Sequence, residues 1–239
     1  MPQAKINVIV LDVTRDALDL IYAACRQCYS EEFAGTIMRR TMDPAKKSQF
    51  IRKIVASGHE SPLEHAKFTF AVEGVSRALT HQLVRHRIAS YSQQSQRYVR
   101  EDSFDYIIPP VIEKNPGLRK EFTALMGEIQ RSYNDLREAI KSSGASGERA
   151  NEDARFVLPQ AAETKIVVTM NCRELLHFFQ HRCCSRAQWE IKGLADRMLE
   201  LCKRELPEVF HGSGAKCRKF GYCPEGEKFT CGRYPLRKE

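Results

Sequence analysis

The sequence lacks long apolar stretches. None of its hydrophobic runs approaches the roughly 18 residues that a membrane-spanning helix requires, and residues 1–5 carry no apolar signal core. The absence of an internal repeat of about 20 to 50 residues excludes a solenoid. With 42% hydrophobic and 28% charged residues among 239, the composition is typical of a folded chain. We therefore expect a soluble, cytoplasmic protein with no membrane partner.

A second absence concerns dinucleotide binding. The sequence has no GxGxxG motif between a strand and a helix, which is the turn that holds a pyrophosphate in Rossmann folds. Gly212, Ser213 and Gly214 follow the last long predicted helix and therefore lack that context. We expect a non-Rossmann fold in which side chains hold any nucleotide.

The overall charge is positive. Lys and Arg number 38 and Asp and Glu number 30, so the net charge is +8, which predicts attraction for nucleotides, nucleic acids or phosphorylated cofactors. A nucleic-acid-binding module is an alternative, because arginines are interleaved with Tyr91 and Tyr98. The acidic residues are spread along the chain and no long basic run is present, so we expect no nucleic-acid partner.

The nine cysteines are predicted to be reduced thiols, because a cytoplasmic chain of this length needs no disulfides to hold its core. In the tail, Cys217, Cys223 and Cys231 could bind a metal with His211 as a fourth ligand. Their spacing matches no compact zinc motif, which favours a loop-rich tail. A zinc-stabilised interaction protein is a further, weaker alternative.

The other candidate metal pair is on a predicted helix. His177 and His181 are four residues apart, as in the HExxH motif of zincins. Phe178 occupies the position of the glutamate in that motif, so we expect no catalytic metal.

Hydrophobic periodicity predicts strands separated by helices. Strands are expected at residues 6–11, 68–75 and 164–170, and helices at 14–28, 44–57, 76–87, 119–141 and 153–157, followed by two more before Pro207. Capping residues mark several helix starts, and the predicted N-caps are Asp43, Ser61, Asn171 and Ser185. The predicted class is α/β, in the sense that includes α+β: one domain with a mixed or antiparallel sheet flanked by long helices.

The densest polar segment begins at Arg85. If the preceding helix continued, its 100° per residue would point Arg85 and Arg87 about 200° apart, so the two guanidinium groups would serve different neighbours. A solvated basic last turn followed by a polar loop is the simpler interpretation. Gln82, three residues before Arg85, could join the same group from the helix.

Beyond Tyr91 the segment offers a different pattern. If this part is extended, Gln93, Ser95 and Arg97 lie on one face because their spacing is two. An amide, a hydroxyl and a guanidinium on one face suit a polar ligand with a phosphate. The segment therefore predicts an anion pocket.

These residues carry a resemblance to the flavin-dependent thymidylate synthases. Six of the seven fixed positions in the RHRxxSxNxxSxR signature of that family are matched, by Arg85, His86, Arg87, Ser90, Ser95 and Arg97. Ser92 replaces the usual asparagine. Residues 58–65 are similar to the GHxSxxEH segment of the family, and residues 171–191 to its C-terminal helices.

The resemblance implies a reaction. Members methylate dUMP to dTMP, with 5,10-methylenetetrahydrofolate as the carbon donor and FAD, reduced by NADPH, as the source of hydride. It also implies a homotetramer with active sites at subunit interfaces. Residues 1–210 would form the catalytic domain and residues 211–239 a cysteine-containing tail.

The resemblance further implies roles for individual residues. FAD would be bound by Ser61, Arg85, His86, Arg87, Gln93, Asn171, Arg173 and His177. The nucleotide dUMP would be bound by Gln82, Arg85, Gln93, Ser95, Arg97, Arg155 and Arg182. His59 and Tyr98 would lie in the folate and nicotinamide region.

Arg182 and Ser95 are the candidates for catalysis. The resemblance places Arg182 at the uracil N3, where a permanent cation stabilises negative charge on the ring and makes C5 more nucleophilic. No general base is evident in the sequence near Ser95, so we expect this residue to bind and orient dUMP and not to act as a nucleophile.

Overall fold

A computed structural model describes residues 4–40 and 42–237 of the chain. Within these residues the strands are β1 (Asn7–Val13), β2 (Lys67–Ser76), β3 (Ala89–Gln93) and β4 (Glu163–Asn171). The helices are α1 (Ala17–Gln27), α2 (Ala34–Arg39), α3 (Pro44–Ala56), α4 (Arg77–Leu83), α5 (Pro110–Glu113), α6 (Pro116–Ser142), α7 (Gly147–Ala154), α8 (Cys172–Arg182), α9 (Trp189–Glu205), α10 (Pro207–Phe210) and α11 (Lys216–Phe220). Short 3₁₀ helices span Ser61–His65, Arg155–Val157 and Glu227–Phe229.

The strands pair in the order β1-β2-β4-β3 and form an antiparallel sheet. The predicted fold class, a sheet with long helices, is confirmed. None of the described helices is both long and apolar enough to cross a membrane.

Contacts between residues divide the chain into two compact units, and each strand contributes residues to both. Unit 1 contains the segment up to Asn7, Val72–Val84 and Ser92–Val167. Unit 2 contains Val8–Ala71, Arg85–Tyr91 and the segment from Val168 onwards.

The core of unit 1 lies against the long helix α6. Phe104, Tyr106, Met126 and Ala162 are buried there together. Helix α6 forms because apolar residues recur at helical spacing over its length, and Asn115 caps it by accepting hydrogen bonds from the backbone N–H groups of the first turn. This helix is slightly longer at both ends than predicted.

The core of unit 2 is aromatic. The stacked rings of Phe68 and Phe70 have centroids 5.8 Å apart, and Phe210 meets Phe68 edge-on at 5.7 Å. Phe179 of α8 meets the same Phe210 ring at 5.9 Å. Such edge-on pairs add to the free energy gained by burial, and they anchor one face of α8. The position of that helix decides where its polar side chains lie.

Two of the predicted N-caps are confirmed. The Asp43 carboxylate accepts a hydrogen bond from the Ala45 backbone N–H at 2.9 Å, at the start of α3. The Asn171 side chain accepts one from the Glu174 N–H at 2.8 Å, at the start of α8. Each satisfies a backbone donor that the first helical turn leaves unpaired.

The other two predicted N-caps are wrong. Ser61 is the first residue of a five-residue 3₁₀ helix whose cap position is Glu60, and that helix makes no side-chain cap bond. Helix α9 begins at Trp189, and the Gln188 side chain caps it in place of Ser185 by accepting bonds from the N–H groups of Glu190 and Ile191. A glutamine side chain at the cap position performs the function that was assigned to serine.

Several predicted boundaries also differ. Helix α4 ends at Leu83 instead of residue 87, and the pattern missed the strand Ala89–Gln93. Helix α7 begins at Gly147, so the helix predicted at 153–157 starts earlier and ends as a 3₁₀ turn. Polar residues dominate both regions, and hydrophobic periodicity carries little information there.

Candidate active site

A cavity of about 450 Å³ lies in unit 2 beside α8. Most of its lining side chains are cationic or hydrogen-bonding, and they include Arg85, His86, Glu174, His177, His181, Arg182 and Lys216. Helix α8 supplies Glu174, His177, His181 and Arg182 because its opposite face is buried in the aromatic core. The predicted residues Arg85, His86, His177 and Arg182 are thus brought together.

Three of these side chains form a hydrogen-bonded chain. His86 Nδ1 is 3.1 Å from Glu174 Oε1, and Arg182 Nε donates to His86 Nε2 at 3.1 Å. An arginine N–H can only donate, so His86 Nε2 is the acceptor, and the single proton of the neutral ring lies on Nδ1. His86 therefore donates from Nδ1 to Glu174. The chain fixes the Arg182 guanidinium at the cavity wall.

The surroundings keep His86 neutral. Burial, reinforced by the positive charge of Arg182 and by His177 and His181, lowers the pKa of His86 to about 4. Burial raises the pKa of Glu174. The Phe178 ring packs edge-on against His86 with centroids 4.9 Å apart. A neutral imidazole can accept the Arg182 hydrogen bond, and an imidazolium cannot.

Tyr91 supports the backbone of the same residue. Its hydroxyl donates to the His86 carbonyl oxygen at 2.7 Å. Burial, followed by the negative charge of Glu174, raises the pKa of Tyr91. The hydroxyl therefore remains protonated and continues to donate.

A second cavity of unit 2, about 430 Å³ in volume, shares part of this wall. Asn171, Arg173, Glu174 and His177 line it. The Asn171 side chain caps α8, and Arg173 forms an ion pair with Glu64. Three residues predicted to bind FAD, namely Asn171, Arg173 and His177, are therefore neighbours.

Other predicted residues of unit 2 lie elsewhere. Arg87, Ser61 and His59 are not among the described residues that line these two cavities. Arg87 and Ser61 are exposed, and the His59 ring lies 6.2 Å from the Tyr29 ring. The angle predicted between Arg85 and Arg87 does not apply, because α4 ends at Leu83.

In unit 1, Gln93 is tied to two buried threonines. Its amide nitrogen donates to the hydroxyl oxygens of Thr80 and Thr164, at 3.2 Å each. Both threonines are nearly inaccessible. The nitrogen end of the Gln93 side chain is thus held in place.

The predicted shared face of Gln93, Ser95 and Arg97 is wrong. Strand β3 ends at Gln93 and the chain turns, with the Ser95 hydroxyl accepting a hydrogen bond from the Arg97 backbone N–H at 3.2 Å. Such a local serine bond competes with extended structure. The Arg97 guanidinium pairs with Glu148 and Glu152 of α7, at 2.7 and 3.2 Å.

The remaining predicted residues of unit 1 are Arg155, Gln82 and Tyr98. Burial, followed by the positive charge of Arg155, lowers the pKa of Arg77, a half-buried arginine that was not predicted as a site residue. Arg77 donates to the Gln94 carbonyl oxygen at 3.3 Å. Gln82 is half-buried on α4, and Tyr98 is exposed with its ring 5.3 Å from the Arg97 guanidinium carbon.

Glu174 was the most important omission. Glu174 was not predicted as a site residue, and its side chain faces His86. The available signal was spacing, since Glu174, His177 and His181 are three and four residues apart and lie on one face of a helix. Sequence spacing gave no link between α8 and His86.

The donor set of the unit 2 cavities fits a bound nucleotide cofactor. Arginine, lysine and histidine side chains suit phosphates, and carboxylate and amide groups suit ribose hydroxyls and ring nitrogens. Fold and cavities together define an antiparallel α+β protein with cationic cavities whose side chains suit anionic ligands.

Comparison with known proteins identifies the family. Residues 9–208 match the sequence model described as "Thymidylate synthase complementing protein". The flavin-dependent thymidylate synthase of Nitratidesulfovibrio vulgaris is 56% identical over 242 residues, covering 100% of this chain and 99% of the relative. Proteins of the same name from Clostridium tetani (46% identical; 95% and 94% covered) and Pyrococcus abyssi (42%; 98% and 96%) are also similar. The chain therefore belongs to the family of flavin-dependent thymidylate synthases.

Proposed function

We propose that this protein converts dUMP to dTMP. A methylene group passes from 5,10-methylenetetrahydrofolate to uracil C5, C5 loses its proton, and a hydride reduces the methylene to a methyl group. The observation that carries this proposal is the Glu174–His86–Arg182 chain, which holds a permanent cation at the wall of a nucleotide-sized cavity.

Arg182 activates the pyrimidine in this proposal. A guanidinium next to N3 stabilises the negative charge that the ring carries as C5 attacks, and arginine keeps its proton at any working pH. Because His86 accepts from Nε alone, the terminal amino groups of Arg182 are available to the uracil. No covalent enzyme nucleophile is required.

The other residues assigned to dUMP bind its sugar and phosphate in this proposal. Arg97 and Arg155 supply positive charge for the phosphate, Gln82 and Ser95 supply hydrogen bonds, and the Gln93 amide is held by two threonines. Arg97 must exchange its pairs with Glu148 and Glu152 for the phosphate. Both pairs are about half exposed to solvent, so this exchange costs little.

FAD supplies the hydride when bound, after reduction by NADPH. Arg85, Asn171, Arg173 and His177 line the unit 2 cavities and would hold it. His86 also lines the first of these cavities, and Ser61, Arg87 and Gln93 complete the proposed set. His59 and Tyr98 are assigned to the folate and nicotinamide region.

We also propose the setting in which this reaction occurs. The enzyme works as a cytoplasmic homotetramer whose active sites combine residues of several subunits. Residues 1–210 form the catalytic domain, and residues 211–239 form the tail.

The visible absorption spectrum of the purified protein tests this function. FAD is added and free flavin removed, and NADPH is then added without oxygen, with and without dUMP. A bound-flavin spectrum that bleaches with NADPH, and faster with dUMP, is the expected result. Failure to bind FAD supplied in excess would overturn the proposal and bring the nucleic-acid alternative forward.

A further inference from the structure

A group of cysteines outside the proposed reaction lines one small cavity of unit 2. Cys184 lies in the turn after α8, Cys217 is on α11, and Cys223 and Cys231 lie in the irregular tail. All four line the same cavity, which has a volume of only about 20 Å³ and is also lined by Cys183, a buried thiol at the end of α8. That volume holds one water-sized particle and excludes an organic ligand.

The tail is anchored at this point by weak contacts. Arg186 pairs with Glu225, and its guanidinium lies 4.3 Å from the centre of the Phe229 ring. Regular structure in the tail is short: α11 has five residues and the last 3₁₀ helix has three. Segments with so few internal contacts are commonly held by disulfides or a metal ion.

We propose that Cys184, Cys217, Cys223 and Cys231 bind one Zn²⁺ ion that fastens the tail to the end of α8. Four thiolates are a common ligand set for structural zinc, which is tetrahedral with Zn–S distances of about 2.3 Å. The first ligand is two residues beyond Arg182, and the tail residues Lys216 and Glu225 line the cavity that contains Arg182. The ion therefore fixes part of the cavity wall.

The described thiols do not yet surround a common point, since no group of three or more described His, Cys, Asp or Glu side chains is arranged as a metal site. Cys231 instead hydrogen bonds to Ser185. Rotation about χ1 between staggered positions moves a cysteine sulfur by about 3 Å. The proposal requires side-chain movements of this size within the one cavity that the four cysteines line.

The ligand set differs from the one suggested by the sequence. His211 lines a different cavity, together with Arg52 and Arg218, and is not among the described residues around the cysteine cavity. Cys184 takes its place. Cys184 lies 33 positions before Cys217 and outside the tail, so the spacing of the tail cysteines does not point to it.

Metal content of the full-length protein tests the proposal. The protein is produced with zinc in the medium, purified without chelators, and analysed for zinc and iron by mass spectrometry. About one zinc ion per chain is expected, with sulfur ligands at about 2.3 Å by X-ray absorption. Wild-type protein with no bound zinc, with iron in its place, or with a nitrogen ligand at the zinc would overturn the proposal.

Serine variants provide the matched comparison. Cys217→Ser and Cys223→Ser should lose most of the zinc, whereas Cys28→Ser, an exposed cysteine at the end of α1, should retain it. Full zinc retention in Cys217→Ser would contradict the proposed ligand set. If the serine variants fail to fold, a thiol-modifying reagent is added to the wild-type protein. Release of the zinc as Cys184, Cys217, Cys223 and Cys231 are modified supports the proposal, and full zinc retention after their modification contradicts it.

Discussion

The His86 ring lies between the carboxyl group of Glu174 and the guanidinium group of Arg182, and burial keeps it neutral. Its two ring nitrogens face Glu174 and Arg182, each at 3.1 Å. The Arg182 bond is possible only while Nε2 carries no proton. The orientation of the proposed catalytic arginine therefore depends on the tautomer and the pKa of this histidine.

Long-range ¹H–¹⁵N NMR measures both properties. The His86 signals, identified by their loss in His86→Gln, should show a neutral ring with its proton on Nδ1 at pH 7, and a titration midpoint near pH 4. A proton on Nε2, or a midpoint close to the ordinary value of about 6.5, would contradict the account.

The same pKa has a consequence for stability. Because the folded pKa of His86 is lowered, the unfolded chain binds a proton on this ring between about pH 6.5 and pH 4 that the folded chain does not. This group therefore lowers the free energy of unfolding as the pH falls through that window. The raised pKa of Glu174 has the opposite effect and raises the free energy of unfolding as the pH falls. To separate the two contributions, the free energy of unfolding is measured against pH by chemical denaturation of wild type and Glu174→Gln.

Glu174 is a positioning residue, since it acts on the reaction through His86. Glu174→Ala should lower kcat for dTMP formation roughly tenfold, because loss of a buried acceptor costs about 1–3 kcal/mol. Glu174→Gln keeps an acceptor for the Nδ1 proton and should recover most of that loss. Steady-state kinetics and the His86 tautomer are measured in both variants. Equal activity in wild type and Glu174→Ala, with the tautomer unchanged, would remove Glu174 from this role.

At the scale of elements, β2 depends on a close backbone approach. Gly74 has φ +68° and a Cβ there would lie 1.9 Å from the Lys5 carbonyl oxygen. Its N–H donates to Glu163 at 2.8 Å. Only glycine combines this left-handed conformation with the available space.

Gly74→Ala should lower the free energy of unfolding by more than about 2 kcal/mol, since the left-handed strain and the backbone clash add. The control is Gly127→Ala in the middle of α6, where no heavy atom lies within 4 Å of the new Cβ. That change should raise the free energy of unfolding by about 0.5–1 kcal/mol. Urea denaturation measures the free energy of unfolding of both variants. Equal values for Gly74→Ala and Gly127→Ala would contradict the requirement for glycine at position 74.

The elements also show what the sequence could predict. β2, β4, α3, α6 and α8 follow from strong periodicity and, for α3 and α8, from caps that the structure confirms. The segment from Arg85 to Arg97 was identified as chemically important, yet the conformation predicted for it was wrong. Its path is set by the Tyr91 bond to His86 and the Ser95 bond to Arg97, which hydrophobic periodicity does not encode.

The candidate site was predictable to a similar degree. Residue types and the family resemblance selected Arg85, His86, His177 and Arg182, which the structure places around one cavity. The resemblance did not supply Glu174 or the cysteine Cys184. Glu174 contacts His86 from a segment far away in the chain, and the proposed zinc site also joins distant segments. A single sequence does not reveal such contacts.

At the scale of the whole molecule, charge and function agree. The net charge of +8 attracts anionic substrates, and cationic side chains are concentrated at the unit 2 cavity. Many other surface cations are paired, as in Arg197 with Glu200 and Arg40 with Glu32. This pairing favours small anionic ligands over an extended nucleic acid, because binding a nucleic acid needs many unpaired cationic side chains to contact its phosphates.

Formation of dTMP tests the central claim most directly. Purified protein is supplied with FAD, NADPH, dUMP and 5,10-methylenetetrahydrofolate, and the nucleotides are separated, identified and quantified by mass spectrometry. Wild type and Arg197→Ala, a surface control on α9, should both form dTMP. Arg182→Ala should bind flavin and lose at least about a hundredfold in rate, as expected when a cation at developing negative charge is removed. No dTMP from the flavin-loaded wild type, or an unchanged rate in Arg182→Ala, would contradict the account.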